Sequence, residues 1–487
     1  MVVVIVVTVV AAVLRLYRLR SGYAHGVVDY DSGVYFGSSL DLMHGRLPYR
    51  DFVLVHPPGI TLLMTPLAWL SSLIGTASAM GLAKVMTALA GAASVPLVAR
   101  LVWHRGVLVA VLAAAIAAVQ VDAVTAGFGL LLEPWVVLFC LLGAVLTFHA
   151  DEPAQGRRLL WGGIAFGFAC AVKIWAFAPM LAVLLVLMPD RRRAARHLAG
   201  VAIGFLVPVL PFAVLAPGAF VHDVFTVQLF RSTDQRTASV FRLIHLFSVG
   251  PPTTHLPDAA RGWLITAGLV IAGSVVVLWV CLARRAAPLE RFAVLAAVAV
   301  VGMLFVPGTF YWHYAAFAAP FLALAAALPV ARLPKGPAVI WALVLVACVG
   351  AQTATLLHRN QRGDRLPDDY RQVTSVIPAG ACVVTSMSSA MIADDRFVSD
   401  DPDCPTILDP FGTALAYGNG RSPSKVAPRT PALVRIWAQA YRRADYLYFV
   451  TRGTRSVPVD VVLDRYLADH FHRVDVAGLR GTLYARN

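Results

Sequence analysis

Long apolar runs separated by short polar loops make up the first three quarters of the chain. A run of about twenty apolar residues is long enough to cross a bilayer as a helix. Runs of roughly this kind occupy residues 2–17, 80–99, 107–125, 134–150, 198–216, 262–283, 292–306, 314–330 and 337–356. The stretch 159–189 is too long for one straight span and too short for two full spans, and Lys173 lies in its middle. It therefore predicts two short helices. The pattern predicts a polytopic α-helical membrane protein.

The composition agrees with a membrane protein. The chain is 59% hydrophobic and 14% charged, whereas a soluble globular chain is about one quarter charged. Its formal net charge of +14 does not indicate nucleic-acid binding, because most basic residues cluster in short loops between apolar runs. Such clusters set topology and contact anionic lipid headgroups. The positive-inside rule places five of them in the cytoplasm: Arg100 with Arg105, Arg157 with Arg158, residues 191–196, residues 284–291, and Arg332 with Lys335.

The remaining loops then face out: Glu133, residues 217–261, the turn at His313 and the tail from about residue 357. The segment 60–74 leaves two topologies open. If it spans the membrane, the first helix begins outside and the acidic loop before it lies in the cytoplasm. If it is a partial or interfacial helix, the acidic loop lies outside, on the same face as Glu133.

The tail, residues 357–487, is polar and dotted with prolines. Apolar runs at 381–385 and 446–450 predict strands, and residues 431–443 and 457–471 predict amphipathic helices. We therefore expect a small α/β domain here, after a membrane domain over residues 1–356. Cys382 and Cys404 both lie in this tail, and a disulfide between them is expected if the tail is outside the cytosol.

The loop from Asp29 to Gly59 concentrates polar chemistry beside apolar segments. Carboxylates beside a membrane are costly to desolvate, so a cluster of them needs a reason. Asp31 is a candidate general base or metal ligand; the alternative is a solvated loop acid or a helix cap. The Pro57-Pro58-Gly59 turn is architectural, and His56 remains open between structure and function.

Further candidates lie in or beside the apolar runs. Glu133 opens a helix at the membrane boundary, as either a functional acid or an ordinary helix-start acid. A lysine within an apolar run needs a partner, a cavity or an anionic ligand such as a lipid phosphate, so Lys173 is a candidate phosphate ligand; snorkelling is the alternative. Lys84 is a weaker candidate of the same kind. Arg231, Arg236 and Arg242 lie among aromatic residues of an outer loop and are further candidate phosphate ligands; a solvated loop face is the alternative.

Together these residues resemble the GT-C superfamily of polyprenyl-phosphate-sugar-dependent glycosyltransferases, in the branch of the protein O-mannosyltransferases and the aminoarabinose transferase. The matching motifs are Asp31 with Tyr35, the segment 45–51, which contains Tyr49, Arg50 and Asp51, and the turn that follows His56. Glu133 matches the second acid of the family, and Lys173 matches a lysine between two short helices. The usual Asp-Glu pair is replaced by Asp29-Tyr30-Asp31, and the spacing to Tyr35 favours Asp31 as the catalytic residue.

The resemblance implies about eleven spans, an outer loop over residues 19–79, a second over 217–261 and an extracytoplasmic C-terminal domain. It implies an inverting glycosyltransferase of the cell envelope, in the inner or plasma membrane. The donor would be a polyprenyl-phosphate sugar and the acceptor an envelope glycan, lipid or protein. Asp31 would act on the acceptor, with Asp29 and Glu133 assisting or holding a divalent cation such as Mg²⁺ or Mn²⁺. The loop residues Tyr35, Tyr49, Arg50, Asp51, His56 and His313 would line the acceptor side.

Two other functions remain open at this stage. A transporter or flippase of lipid-linked sugars would explain the spans and the buried lysine but not the acidic loop or the ordered tail; it also predicts ionisable residues at mid-membrane on several helices, which are scarce here. A non-catalytic membrane scaffold would tolerate Asp31→Asn. The Arg- and Ala-rich, Lys-poor composition is typical of a bacterial protein from a GC-rich genome, but it does not indicate which sugar is transferred.

Overall fold

The computed structural model describes residues 1–231, 236–248, 286–361, 370–418, 420, 430–450 and 456–487. The predicted span 262–283 therefore lies outside the described residues. Within them the chain is mainly helical. The α-helices up to residue 229 are α1 Val2–Arg18, α2 Asp31–Met43, α3 Gly59–Ile74, α4 Thr76–Val102, α5 Val107–Val119, α6 Val121–Thr125, α7 Leu132–Thr147, α8 Arg157–Val172, α9 Phe177–Leu187, α10 Arg191–Leu215, α11 Pro217–Val221 and α12 Val227–Leu229.

The other described α-helices lie between residues 239 and 470. They are α13 Ser239–Phe247, α14 Pro288–Phe305, α15 Ala315–Ala327, α16 Lys335–Gln361, α17 Ser388–Ala393, α18 Pro410–Tyr417, α19 Pro431–Arg443 and α20 Val461–His470. Short 3₁₀ or π turns extend several of them: Leu19–Tyr23, Trp103–Arg105, Ala126–Phe128, Ile174–Ala176, His222–Thr226, Trp312–Tyr314, Leu328–Ala331 and Arg371–Ser375.

Five described helical segments are long and apolar enough to cross a membrane. They are Thr76–Arg105, Arg191–Leu215, Pro288–Phe305, Trp312–Ala331 and Lys335–His358. A sixth is the pair α5 and Val121–Phe128, which bends by 58° at Gln120. The chain is therefore a multi-pass membrane protein, while the count of eleven spans stays a prediction. The basic residues 191–196, expected in a loop, lie instead in the first turns of α10.

The prediction of two short helices in the stretch 159–189 is confirmed, while both alternatives for the segment 60–74 stay open. The stretch 159–189 divides into α8 and α9, and Lys173 lies at the break between them. The segment 60–74 forms α3, which has 16 residues and is too short to count among the candidate spans.

Contacts between Cα atoms divide the chain into two compact units. The first, called the membrane unit here, contains Met1–Arg18, Met86–Val207 and Thr237–Arg365. The second, called the loop unit, contains Leu19–Val85, Pro208–Arg236 and Leu366–Asn487. The tail is thus grouped with the first polar loop. It stays a prediction that an extracytoplasmic domain begins at residue 357.

Glycines bring α8 and α10 together in the membrane unit. Gly163 and Gly167 on α8 face Gly200 and Gly204 on α10, and a Cβ on any of the four would clash with a backbone carbonyl oxygen of the other helix. Small residues four apart allow this close approach, which brings many backbone atoms into van der Waals contact. This packing fixes the helix that ends just before Lys173.

In the membrane unit, β1 Phe148–His149 and β2 Glu152–Pro153 form a short antiparallel hairpin. The tail contains four strands, which are β3 Val383–Thr385, β4 Tyr446–Phe449, β5 Phe471–Val474 and β6 Thr482–Arg486. They form one sheet in the order β3-β4-β6-β5. β3 runs parallel to β4, and the other pairs are antiparallel. The predicted strands and amphipathic helices of the tail are therefore present, with slightly different limits.

Candidate active site

Glu133 lies in the first turn of α7, where it is 1% exposed. Pro134, the third residue of the helix, is tolerated in this first turn because the N–H that it lacks would have no partner within the helix. A carboxylate in a first turn is stabilised by the positive end of the helix dipole. The helix dipole alone does not stabilise a carboxylate that is this deeply buried, since a buried charge requires ionic or hydrogen-bonding partners.

Lys173 is the principal partner of Glu133. It has extended backbone angles at the break after α8, and its Nζ donates a hydrogen bond of 2.6 Å to Oε1 of Glu133. The lysine side chain is 5% exposed. Its Nζ also lies 3.9 Å from the centre of the Trp175 ring and 4.5 Å from that of Tyr314, so two aromatic faces stabilise the ammonium. The snorkelling alternative is therefore not what the structure shows.

His313 completes this group from a third segment. It belongs to the 3₁₀ turn before α15, and its Nδ1 lies 3.0 Å from Oε2 of Glu133. The Glu133 cluster, as we call Glu133, Lys173, Trp175, His313 and Tyr314, thus combines residues from α7, the break after α8 and the Trp312–Tyr314 turn. All five residues belong to the membrane unit.

The Glu133 cluster places one carboxylate between the ammonium of Lys173 and the imidazole of His313. The setting is apolar, where Coulomb interactions are stronger than in water. An anion such as a phosphate would be attracted to Lys173. The arrangement is suited to holding an anionic leaving group.

In the loop unit, the two acids of the first loop have different surroundings. Asp29 accepts hydrogen bonds from the backbone N–H of Ser32 at 2.6 Å and from its hydroxyl at 2.9 Å. Asp29 therefore caps the first turn of α2. Asp31 is the first residue of α2 and belongs to the same turn. The capping alternative considered for Asp31 thus describes Asp29 instead.

Tyr30, between these acids, connects the loop to the tail. Its hydroxyl donates a hydrogen bond of 2.7 Å to Oδ1 of Asp409 and accepts one of 3.1 Å from the Phe411 N–H. Asp409 also accepts from the Gly412 N–H at 2.8 Å, which caps α18. Burial raises the pKa of Asp409 above its usual range, although these hydrogen bonds and Arg231 act in the opposite direction.

Of the residues expected on the acceptor side, those of the first loop lie together in the loop unit, whereas His313 lies in the Glu133 cluster of the membrane unit. Tyr49 has a φ of 68°, in the left-handed region that bulky residues rarely adopt. It is held there by its hydroxyl, which donates to the His56 carbonyl at 2.7 Å, and by its ring against Phe220. The Tyr35 hydroxyl lies 3.4 Å from Nε2 of His56. Strain of this kind is often found at functional sites.

Arg50 and Asp51, also expected on the acceptor side, form an ion pair of 2.8 Å. The Arg50 side chain is 48% exposed and that of Asp51 is 32% exposed. Asp51 also accepts a hydrogen bond of 2.7 Å from the Leu47 N–H. The pair therefore closes the turn from residue 47 to 51, and its net contribution to stability is small because it lies at the surface.

Two of the predicted phosphate ligands make structural contacts. Lys84 is fully buried and its ammonium donates to the carbonyls of Tyr23, Ala24 and Gly26, at 3.1, 3.3 and 2.7 Å. Arg242 donates to the carbonyls of Leu304, Pro307 and Gly308, at 2.5, 2.7 and 2.9 Å. Both cations therefore satisfy backbone groups of neighbouring segments, and a phosphate-binding role for either stays a prediction.

The outer-loop arginines differ from these two. Arg231 lies over the ring of Phe411, 5.2 Å from its centre, whereas Arg236 is exposed. Cys382 and Cys404 are joined in a disulfide, as expected from the sequence. In the described part of the chain, no group of three or more His, Cys, Asp or Glu side chains is arranged to hold a metal ion. The roles of Asp29, Asp31 and Glu133 toward a cation stay predictions.

Sequence reasoning missed Trp175, Tyr314 and Asp409. The first two had a local signal, since Trp175 follows Lys173 by two residues and Tyr314 is adjacent to His313. Asp409 had none, because it lies 379 residues from its partner Tyr30. Asp29 and Asp31 belong to the loop unit and Glu133 to the membrane unit. Their predicted convergence in one catalytic site stays a prediction.

Comparison with known proteins gives a sequence family and a fold. The family model described as glycosyltransferase family 87 matches residues 54–307, a range that includes Glu133 and Lys173. No curated protein sequence matches.

Among solved structures, ArnT from Cupriavidus metallidurans bound to undecaprenyl phosphate is similar, with a TM-score of 0.58 and 17% identity over 99% of this chain and 97% of that one. The archaeal oligosaccharyltransferase AglB from Archaeoglobus fulgidus, in complex with an inhibitory peptide and a dolichol-phosphate, has a TM-score of 0.55 and 13% identity over 100% of this chain and 74% of that one. At such identities the likeness concerns the fold.

Proposed function

Because the chain belongs to glycosyltransferase family 87, we propose that it is an inverting enzyme that moves a sugar from a polyprenyl-phosphate donor to an extracytoplasmic acceptor. Membership of the family makes it a membrane glycosyltransferase, and its fold is that of the GT-C enzymes. The transporter and scaffold alternatives have no such support. The choice of donor is supported by ArnT and AglB, whose structures contain undecaprenyl phosphate and dolichol-phosphate.

The observation that carries the proposal is the buried hydrogen bond between Lys173 and Glu133. A charged pair with so little exposure is expensive to bury and is often replaceable by apolar residues, so stability alone does not account for it. Within an apolar region such groups mark substrate sites. Lys173, supported by His313, would bind the donor phosphate, and Glu133 would hold both side chains in position.

In the proposed reaction, an acceptor hydroxyl oxygen attacks the anomeric carbon of the donor sugar. Asp31 accepts the hydroxyl proton as the new bond forms. The bond between the anomeric carbon and the phosphate oxygen breaks, and its electron pair leaves with the polyprenyl phosphate. Cationic groups that stabilise the growing negative charge make a general acid unnecessary. Attack from the side opposite the leaving group inverts the anomeric configuration.

The use of a divalent cation in this reaction is a separate, secondary proposal. Mg²⁺ is commonly bound by one or two carboxylates together with substrate phosphates. The described residues offer no preformed group of three ligands, and both oxygens of Asp29 accept hydrogen bonds from Ser32. A cation would therefore need the donor phosphate as a ligand. Activity measured in EDTA and after addition of Mg²⁺ or Mn²⁺ tests this directly.

Transfer itself is tested with the purified full-length chain in lipid nanodiscs. Undecaprenyl-phosphate derivatives of mannose, arabinose, galactose and glucose are supplied with a lipid extract as acceptor, and released undecaprenyl phosphate is measured. We expect release from at least one donor with the wild type and loss of release with Lys173→Met. Lys335→Met is the matched control, because Lys335 is exposed at the start of α16. Equal release by the wild type and Lys173→Met contradicts the proposed site.

We also propose that the protein lies in the inner or plasma membrane, with the first loop and a C-terminal α/β domain over residues 357–487 outside the cytoplasm. The test is labelling with a membrane-impermeant thiol reagent in intact cells, after replacement of the free cysteines. Arg50→Cys in the first loop should be labelled, and Arg192→Cys in the basic cluster should be protected. Both native side chains are exposed. The reverse pattern would place the first loop in the cytoplasm and overturn the proposed topology.

A further inference from the structure

A cavity of about 470 Å³ lies within the loop unit. Its walls are the end of α2 with the turn that follows, including Asp41 and Arg46, and the tail segment 397–407. The volume is within the range of small-molecule sites, about 300–1,000 Å³. None of the catalytic or phosphate-binding roles proposed above uses this cavity.

Asp41 has an unusual environment in this wall. It is 3% exposed. Its Oδ1 faces Arg46 Nη1 and the Thr406 hydroxyl, both at 3.4 Å, whereas Oδ2 is buried without a hydrogen-bond partner among the described residues. A buried carboxylate oxygen left without a donor is costly. A ligand that donates a hydrogen bond to it would remove that cost.

The charges of the cavity exclude an anionic ligand. Its lining includes four aspartates, at positions 41, 51, 400 and 401, against Arg46 and His44. The Arg46 guanidinium already donates to Thr406 and to the Cys404 carbonyl, the latter at 2.5 Å. It therefore ties the first loop to the tail and is not available as a dedicated phosphate ligand.

The remaining wall chemistry is suited to a sugar. Thr385, Ser388 and Ser399 line the cavity, together with Phe397. Acceptor and hydroxyl groups beside one aromatic face complement a neutral molecule that has both hydroxyls and C–H surface. A preformed metal site is not indicated, because no three His, Cys, Asp or Glu ligands group together in the described residues.

We propose that this cavity binds one neutral sugar unit of a glycan acceptor, with a sugar hydroxyl donating to Asp41. The proposal rests on the proposed function and narrows its acceptor from glycan, lipid or protein to an oligosaccharide. Asp31 and Asp41 stand ten residues apart on α2, which is about 15 Å along the helix axis. One helix therefore carries the proposed base at its beginning and the proposed sugar-binding acid near its end.

A disulfide and a close helix contact hold the walls of the cavity together. The disulfide between Cys382 and Cys404 connects the start of β3 with the tail wall. Gly37 of α2 approaches the side chains of Leu408 and Phe397 so closely that a Cβ would force Leu408 to move. A site held by such contacts loses little entropy when the ligand binds.

The test is binding of neutral trisaccharides of mannose, arabinose, galactose and glucose to the full-length chain in nanodiscs, measured by isothermal titration calorimetry without any donor. We expect at least one trisaccharide to bind the wild type. Asp41→Asn and Val398→Phe should each weaken it at least tenfold, the first by changing the acceptor and the second by filling the cavity from a partly buried position. Asp469→Asn is the control, since Asp469 is exposed on α20.

Absence of binding to the wild type, or equal binding to all variants, overturns the proposal. If Asp41→Asn lowers the thermal midpoint, trisaccharide binding by Val398→Phe decides the outcome, because that substitution removes no polar group. Binding and transfer are separate measurements. A chain that binds a trisaccharide but releases no polyprenyl phosphate contradicts the proposed function alone, and a chain that transfers sugar without trisaccharide binding contradicts the cavity proposal alone.

Discussion

The hydroxyl of Tyr30 donates a hydrogen bond of 2.7 Å to the buried carboxylate of Asp409, 379 residues further along the chain. Tyr30 is the residue between Asp29 and Asp31, so the tail holds the segment that carries both candidate acids. Asp409 in turn caps α18 through the Gly412 N–H. This contact gives the tail a role in positioning Asp31.

Tyr30→Phe should therefore affect both stability and rate. Loss of the hydroxyl leaves Asp409 with one fewer donor, at a cost of about 1–3 kcal/mol. We expect a lower thermal midpoint and a kcat lowered at least tenfold, with the KM for the donor unchanged because the Glu133 cluster is intact. Tyr417→Phe is the control, since Tyr417 is exposed. An unchanged kcat in a folded Tyr30→Phe protein would show that this contact does not position the base.

Substitutions should distinguish the roles of Asp29 and Asp31. Asp31→Asn removes the proposed base and should lower the transfer rate about 10²–10⁴-fold without unfolding the protein. Asp29→Asn keeps an oxygen that can cap Ser32, so it should retain most activity, whereas Asp29→Ala should cost about 1 kcal/mol of stability. Released polyprenyl phosphate and the thermal midpoint are measured for all three. The opposite order of activities would make Asp29 the base.

Lys173 and Glu133 should behave as one unit. Lys173→Met leaves a buried carboxylate, and Glu133→Gln leaves a buried ammonium, so each should destabilise the protein by about 3–5 kcal/mol. The double variant should be more stable than either single variant, because no unpaired charge remains. All three should lack transfer activity. Thermal midpoints arranged as a double-mutant cycle check this, and additive losses would show that the two charges are not coupled.

Asp41 should make stability depend on pH. Burial raises its pKa from 3.8 to about 7, although Arg46 and Thr406 oppose the shift. The folded protein then binds this proton more tightly than the unfolded chain, so stability falls as pH rises from about 4 to about 7 and changes no further above that. Asp41→Asn should remove this loss.

The midpoint difference between Asp41→Asn and the wild type should therefore be near zero at pH 4 and largest above pH 7. It corresponds to at most about 4 kcal/mol, since one pKa unit is about 1.4 kcal/mol. Asp469→Asn serves again as the exposed control. A difference that does not vary with pH would show that Asp41 titrates at its usual value.

Several parts of the fold followed from local pattern. The break at Lys173 was predictable because the apolar stretch around it has the wrong length for one span; α8 ends just before Lys173 and α9 begins at Phe177. The strands and amphipathic helices of the tail followed from their periodicity. By contrast, the contact between α8 and α10 depends on four glycines whose role appears only when the helices meet.

The site was predictable in its residues but not in their partners. Glu133 and Lys173 were singled out because charge is scarce in apolar runs, yet the aromatic faces of Trp175 and Tyr314 were not expected. Lys84 was taken as a phosphate ligand for the same reason, and Arg242 because it lies among aromatic residues in an outer loop. The structure pairs both with backbone carbonyls. A buried cation requires some partner, and sequence does not distinguish a carbonyl from a phosphate.

The sequence by itself determined that the chain lies in a membrane, where its charges are concentrated and which few ionisable residues need an explanation, because hydropathy and charge are local properties of a segment. Only the tertiary structure decided which residues meet. It joined Lys173 to Glu133, gave Asp29 the capping role, and enclosed Asp41 between the first loop and the tail. The physical reason is that pairing and burial depend on contacts between segments distant in the chain, which no local pattern specifies.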